Sequence, residues 1–225
     1  MKNNLILYRI LSGSALKMIA VVSMTMDHVA LFLLNPKSGW LIYEVMRCIG
    51  RLAFPIFAFL IVEGYYHTKC LWKYMLALLV TAVVSEIPWR LLLDDGNHNV
   101  VFTLLFGLVA VYLADHTRQY PLMMVMMVVT PALLSTVLEL DYAWRGVCLM
   151  AVFYLFRGRR MLTLPFGFPL MMEYGIIGSA FGLAIPLMYS GRRGFVKEQW
   201  MKYLFYIYFP LHLMIIWICM NNIIS

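Results

Sequence analysis

Ionisable residues inside apolar stretches are the first feature of this sequence that points to chemistry. Asp27 and His28 stand late in the apolar run that contains Lys17. In a helix, this spacing brings His28 to within about 20° of Lys17 and about 16 Å further along the same face. A histidine titrates near neutral pH, so it can serve as a general base or a nucleophile. Lys17 is suited to bind an anion at the other end of that face.

Further polar residues recur at a similar depth in other apolar stretches. They are Arg47, Arg51, Glu86, Asn99, Thr103, Tyr208 and His212, the last two at helical i,i+4 spacing on one face. An ionisable side chain at membrane depth costs about 3 kcal/mol on insertion scales, so it usually faces a partner or an aqueous cavity. We therefore expect a polar site in the outer half of a helix bundle.

Each of these residues also has a plainer interpretation. A single histidine or tyrosine in a membrane often only hydrogen-bonds a neighbouring helix. Arg47 and Arg51 can pair with Glu44 and Glu86 and merely neutralise charge. Glu63, near the inner end of its stretch, can be interfacial. The number of polar groups at one depth favours a functional site over these alternatives.

The elements that must position these residues are apolar helices. The chain has 225 residues, of which 63% are hydrophobic and 13% charged, with a mean hydropathy of +0.81, whereas about a quarter of the residues of soluble domains are charged. A span needs about 20 apolar residues. We expect a single all-α membrane domain over 1–225, an interfacial helix over 1–13, and about eight or nine spans. The apolar segments are 15–34, 41–66, 72–93, 100–115, 120–138, 143–156, 161–172, 174–190 and 203–222.

Basic residues predict the orientation. With a cytoplasmic N-terminus and nine crossings, all but five of the 18 Lys and Arg residues fall inside, the exceptions being Lys37, Arg47, Arg51, Arg90 and Arg145. The segment 161–190, which contains Pro165, Pro169 and Gly175, is the doubtful element. Two short passes there, or a re-entrant pair, keep the loop 191–202 inside, and we favour two passes.

Composition argues against two other classes of site. Cys48, Cys70, Cys148 and Cys219 lie far apart and mostly in apolar runs, so we expect small buried residues and no metal site. The net charge of +7 is explained by basic residues in cytoplasmic loops, so we expect no nucleic-acid partner.

Several motifs together resemble the TraX family, whose name-giving member is the conjugative F-pilin acetyltransferase. They run in order through most of the chain and leave only about 120–190 without a motif. They are Met24–His28, Arg51–Gly64, Ser85–Pro88, Asn99–Thr103 and Lys202–His212. TraX proteins are similar to a wider group of transmembrane acyltransferases, which has a basic residue, ten further residues and a histidine in its first core helix. Lys17 and His28 have this spacing.

The resemblance implies an acetyltransferase of the bacterial cytoplasmic membrane. Acetyl-CoA is the implied donor, on the cytoplasmic side, with Lys17, Glu63, Lys202 and Tyr206 as its contacts. His28, with Asp27, is the implied catalytic residue, acting as a base or carrying the acetyl group. Asp27, Arg47, Arg51, Glu86 or Asn99 would orient the imidazole and stabilise the oxyanion. The implied acceptor is an amine or hydroxyl on the far side, such as a pilin-like peptide or an amino sugar.

Two other classes of function fit the same sequence. Broken helices and charges near the membrane midplane suit a multi-span transporter, although no inverted repeat is evident. A non-enzymatic factor in envelope or pilus assembly is the other alternative.

Overall fold

The computed structural model describes residues 9–34, 39–93, 96–195 and 199–224, and the part described is mostly helical, without strands. This confirms the all-α prediction. The α-helices are Gly13–Leu33 (α1), Trp40–Gly50 (α2), Ala53–His67 (α3), Leu71–Leu92 (α4), Val100–His116 (α5), Pro121–Val137 (α6), Ala143–Leu155 (α7), Thr163–Met171 (α8), Ile176–Ala184 (α9) and Gln199–Ile224 (α10). Short 3-10 helices span Arg157–Leu162, Met172–Tyr174 and Ile185–Met188.

Apolar helices of membrane-crossing length support the prediction of a membrane protein. In the described residues, four helical units are long and apolar enough to cross a membrane, namely Gly13–Leu33, Trp40–His67, Leu71–Leu92 and Tyr203–Asn222. The other apolar helices are shorter. The eight or nine spans and the cytoplasmic N-terminus remain predictions.

The unit Trp40–His67 is broken between α2 and α3. Pro55 has no amide hydrogen, so it cannot bond the carbonyl of Arg51, and the chain turns there. Just before the turn, α2 lies very close to α1, because a Cβ atom at Gly50 would lie 2.3 Å from the Oδ1 atom of Asp27. This close approach places the polar residues of α2 beside Asp27.

The segment 161–190 forms two short helices, α8 and α9. They separate at Gly175, which has a φ of +124° that favours glycine. Pro165 and Pro169 instead lie within α8. Each helix has nine residues and is about 13 Å long, less than the roughly 30 Å of a hydrocarbon core. These lengths fit a re-entrant pair better than the two passes that we expected.

The predicted interfacial helix over 1–13 is not helical over its described residues before Gly13, where α1 begins. Residues 9–12 are non-helical, and Leu11 pairs with the chain around Tyr189. The side chain of Ser12 accepts a hydrogen bond from the Ala15 amide, and such a cap requires a non-helical backbone just before the helix. Residues 1–8 lie outside the described residues.

Helices α1 and α10 run parallel, and α10 also packs along α4. Contacts along α1 at Lys17, Thr25 and His28 meet α10 at Phe205, Tyr208 and His212 in the same order. A parallel first and last helix is compatible with an odd number of crossings. More directly, it aligns the two histidines at one level of the bundle.

Charged residues separate between the two ends of the bundle. At one end, the loop before α5 bonds the loop before α7, where Glu139 and Asp141 lie. At the other end, Arg9, Arg118, Arg157 and Arg160 surround one cavity. All four of these arginines belong to the set that the sequence places on the cytoplasmic side.

Candidate active site

A pair of histidines joins α1 to α10. The Nδ1 atom of His28 lies 2.7 Å from the Nε2 atom of His212. The two rings are nearly coplanar in orientation, 6° apart, with centroids separated by 5.0 Å. Both residues are buried. The sequence predicted both histidines as site residues but not that they bond each other.

Hydrogen bonding determines the tautomer of this pair. The Nδ1 atom of His212 lies 3.0 Å from the carbonyl oxygen of Tyr208, which can only accept a hydrogen bond. His212 therefore carries its proton on Nδ1, and in the neutral pair its bare Nε2 accepts from the Nδ1–H of His28. The Nε2 atom of His28 is then the unprotonated nitrogen. This assignment makes His28 Nε2 the basic and nucleophilic atom of the pair.

Aromatic rings surround the histidine pair. Phe32, Trp89 and Phe209 lie with their ring centroids 6.1, 6.1 and 6.3 Å from that of His28. The indole N–H of Trp89 donates to the carbonyl of Asn97 at 3.0 Å, which fixes this ring. These rings pack around the imidazole and favour one orientation of it.

Asp27 belongs to a second, adjoining group. Its Oδ2 atom forms an ion pair with Arg47 at 2.7 Å, and both side chains are largely buried. Arg51 interacts electrostatically with Asp27 and Tyr142. Asp27 thus faces α2 whereas His28 faces α10, about a quarter-turn away. The hydrogen-bond partner that orients the His28 imidazole is His212, not any of the five residues suggested by the resemblance.

Glu86 and Asn99 form a structural cluster behind Trp89. Glu86 accepts from Arg90 at 2.8 Å and bonds His98 at 2.7 Å. The Asn99 amide donates to Glu86 at 2.7 Å and to the Ala82 carbonyl at 2.9 Å, while its oxygen caps α5. The alternative that Arg47 or Arg51 pairs with Glu86 is therefore wrong.

The other predicted residues occupy separate places. Thr103 donates to the Asp141 carbonyl, and the Tyr208 hydroxyl bonds Thr25 at 2.6 Å. Tyr206 packs against the apolar core. The ammonium of Lys17 lies 5.3 Å from the centre of the Phe205 ring, and the side chain of Lys202 lies outside the described part of the chain. These positions neither bring the predicted acetyl-CoA contacts together in one site nor exclude a role for them.

Glu63 instead anchors two arginines of a cavity that we call the arginine pocket, lined by Arg9, Arg118, Arg157 and Arg160 with Tyr66 and Tyr154. Its volume is about 450 Å³. Arg157 donates to both oxygens of Glu63, at 2.9 and 3.3 Å. These bonds raise the pKa of Arg157, whereas burial lowers the pKa of Arg160. The sequence counts these arginines among the basic residues that determine topology, and it also allows the basic loops of the cytoplasmic side to hold the phosphates of acetyl-CoA.

The arginine pocket adjoins a carboxylate that sequence reasoning missed. Asp115 accepts hydrogen bonds from the hydroxyls of Tyr65 and Tyr154, each at 2.6 Å. A carboxylate near the end of an apolar helix needs partners, and this requirement was the available signal. The three residues hold α3, α5 and α7 together beside the pocket.

Two buried polar atoms remain without a hydrogen-bond partner among the described residues. They are Oδ1 of Asp27 and Oγ of Ser85. Native structures contain few such atoms. Asp27 adjoins His28 and Ser85 is one helical turn from Trp89, so both atoms belong to the helices that form the histidine site.

Comparison with known proteins identifies the family. The family model described as TraX protein matches residues 12–220. The chain is similar to the probable fimbrial assembly protein FimC, serogroup H1, of Dichelobacter nodosus, with 26% identity over 90% of this chain and 93% of that protein. No solved structure matches. Since the family model covers nearly the whole chain, this protein belongs to the TraX family.

Proposed function

We propose that this protein is a membrane-embedded acetyltransferase that moves an acetyl group from acetyl-CoA to an amine or hydroxyl acceptor. The hydrogen-bonded pair of His28 and His212 carries the proposal, because it leaves the Nε2 atom of the His28 imidazole unprotonated and available to accept a proton. A histidine with a purely structural role does not need a second histidine to fix which of its two nitrogens carries the proton. Membership of the TraX family and the relative's name, a fimbrial assembly protein, support a role at the cell envelope.

In the proposed reaction, Nε2 of His28 removes a proton from the acceptor as its nitrogen or oxygen attacks the thioester carbonyl. The new bond to carbon forms, the carbon–sulfur bond breaks, and the thiolate of CoA takes the proton back from His28. The products are the acetylated acceptor and CoA with a free thiol. His212 accepts the Nδ1–H throughout, so it stabilises the imidazolium that forms transiently. Arg47 and Arg51 interact electrostatically with His28 and would favour the negative charge on the carbonyl oxygen.

The two ends of the bundle suit the two substrates. Helix α3 rises about 15 Å from Ala53, beside Arg51, to Glu63 at the arginine pocket. Acetyl-CoA has phosphates at one end and a long, narrow pantetheine arm carrying the thioester. With the arginine pocket on the cytoplasmic side of a bacterial inner membrane, such a donor would present its thioester to an acceptor from the far side.

Acetyl transfer in membranes tests the proposal. Membranes containing the protein are supplied with labelled acetyl-CoA and either a short peptide with a free N-terminus, the same peptide with a blocked N-terminus, or an amino sugar. We expect label transfer and CoA release with at least one amine, and a loss of about 10²- to 10⁴-fold in His28→Ala.

His116→Ala is the matched control, since among the described residues His116 bonds the carbonyl of Tyr112, within its own helix. Transfer retained in His28→Ala, with normal membrane insertion of both variants, would refute the catalytic role. The name of the relative, a fimbrial assembly protein, favours a second candidate, a non-enzymatic factor in fimbrial assembly. That candidate predicts no CoA release with any acceptor.

A further inference from the structure

The arginine pocket has the chemistry of a phosphate site. We propose that it binds the phosphates of the nucleotide half of the donor, an inference that deepens the proposed function and rests on it. Four guanidinium groups converge on one cavity of about 450 Å³, within the usual range for small-molecule sites. Arginine matches phosphate geometry with paired donors and stays charged under all physiological conditions.

The local charges favour an anion in this pocket. In the described part of the chain, the carboxylates that face the arginines are Glu63 and Asp115, and both are already bonded. Glu63 is occupied by Arg157 and Arg160, and Asp115 by two tyrosine hydroxyls. Four positive charges against two negative ones leave an excess of two. A bound phosphate group would relieve the repulsion among the guanidinium groups.

Two of the arginines are held in place before any ligand binds. Glu63 is 4% exposed and bonds Arg157 through both oxygens. Arg160 donates to the carbonyl of Tyr189 at 3.0 Å and lies 3.6 Å from Glu63. Fixed donors lose little side-chain entropy on binding. Glu63 is therefore a positioning residue for the pocket rather than a contact of the donor.

Aromatic side chains distinguish a nucleotide from a simple phosphate. The Tyr66 and Tyr154 rings are nearly parallel, 9° apart, and both line the pocket. The Arg157 guanidinium lies 4.0 Å from the centre of the Tyr66 ring. Flat aromatic and guanidinium groups of this kind stack on nucleic-acid bases. A lipid headgroup offers the same phosphate chemistry without a base.

Binding of the nucleotide alone tests the inference without any turnover. The purified full-length protein in nanodiscs is titrated with CoA, with 3′-phospho-ADP and with inorganic phosphate. We expect 3′-phospho-ADP to bind and to compete with CoA. Arg118→Gln, an exposed position, should weaken this binding about tenfold, the effect of losing one charge-assisted hydrogen bond. Arg157→Gln should act in the same direction.

Arg159→Gln is the matched control, because Arg159 is exposed in the same loop and does not line the pocket. Unchanged 3′-phospho-ADP binding in both Arg118→Gln and Arg157→Gln would overturn the inference. A lipid site would instead show no nucleotide binding, and the Arg118→Gln variant would lose retention of anionic phosphatidylglycerol relative to phosphatidylcholine. Nucleotide binding without acetyl transfer would support the pocket and refute the proposed function. Acetyl transfer with an unchanged KM for acetyl-CoA in Arg118→Gln would support the proposed function and refute the role of the pocket.

Discussion

Replacing His212 by phenylalanine gives the sharpest test of the histidine pair. The substitution keeps an aromatic ring against Tyr208 and Phe209 but removes the acceptor of the 2.7 Å bond from His28. The Nδ1–H of His28 would then be a buried donor without a partner, which costs about 1–3 kcal/mol. If this penalty destabilises the tautomer of His28 that carries its proton on Nδ1, acetyl transfer should fall by about 10- to 100-fold.

Two readouts separate a positioning role from a merely structural one. Nitrogen NMR of labelled His28 should show the proton on Nδ1 in the native protein and a mixture of tautomers in His212→Phe. His212→Gln restores an oxygen acceptor and should recover part of the rate. Tyr208→Phe removes only the hydroxyl bond to Thr25 and leaves the carbonyl that orients His212, so the tautomer should not change.

A His212→Phe variant with both the native kcat and a single Nδ1-protonated form of His28 would contradict the positioning role of His212. A rate that falls in proportion to a loss of folded protein, with no change in tautomer, would contradict it as well. Thermal unfolding of each variant, measured in the same detergent, separates these results from the expected one.

Two further predictions concern the packing that supports the site. Gly50→Ala should lower the free energy of unfolding by about 1–3 kcal/mol, because its Cβ would clash with Asp27. Gly39→Ala meets nothing within 4 Å, so thermal unfolding should show only the smaller cost of alanine at the N-cap of α2. Asn99→Ala should cost about 2 kcal/mol from the lost cap and the bonds to Glu86 and Ala82. Asn99→Asp keeps the cap, so equal stability of Asn99→Asp and native protein in denaturant titration would show that the amide donor contributes nothing.

The helices were predictable because apolar length and membrane thickness determine them. The predicted segments correspond closely to α1 and α4–α7, and the break near Gly175 follows from the sequence as well. The helical spacing of Tyr208 and His212 also held. What the sequence did not contain is the direction of packing, since the His28–His212 bond depends on a parallel α1 and α10 that are about 180 residues apart in the chain.

The arginine pocket was less predictable still. It combines one residue before α1, the end of α3, the loop after α5, the end of α7 and the 3-10 helix that follows α7, so no local pattern marks it. The run around Arg157 has an equally good explanation as a cytoplasmic topology signal. The partner of Glu63 distinguishes a topology signal from a binding pocket. A carboxylate buried near a helix end must bond something, and here it bonds arginines that line a cavity.

The chain of hydrogen bonds at the histidine pair ends on a backbone carbonyl, whereas the histidine of a serine protease is oriented by a carboxylate. In a membrane, a carboxylate in that position would add a buried charge that needs its own partner. A carbonyl fixes the same tautomer and adds no net charge. The nearby carboxylate, Asp27, is neutralised separately by Arg47 and faces another helix. The orientation of the base and the charge balance of the bundle are thus handled by different residues, and so a change at Asp27 should affect stability more than the tautomer of His28.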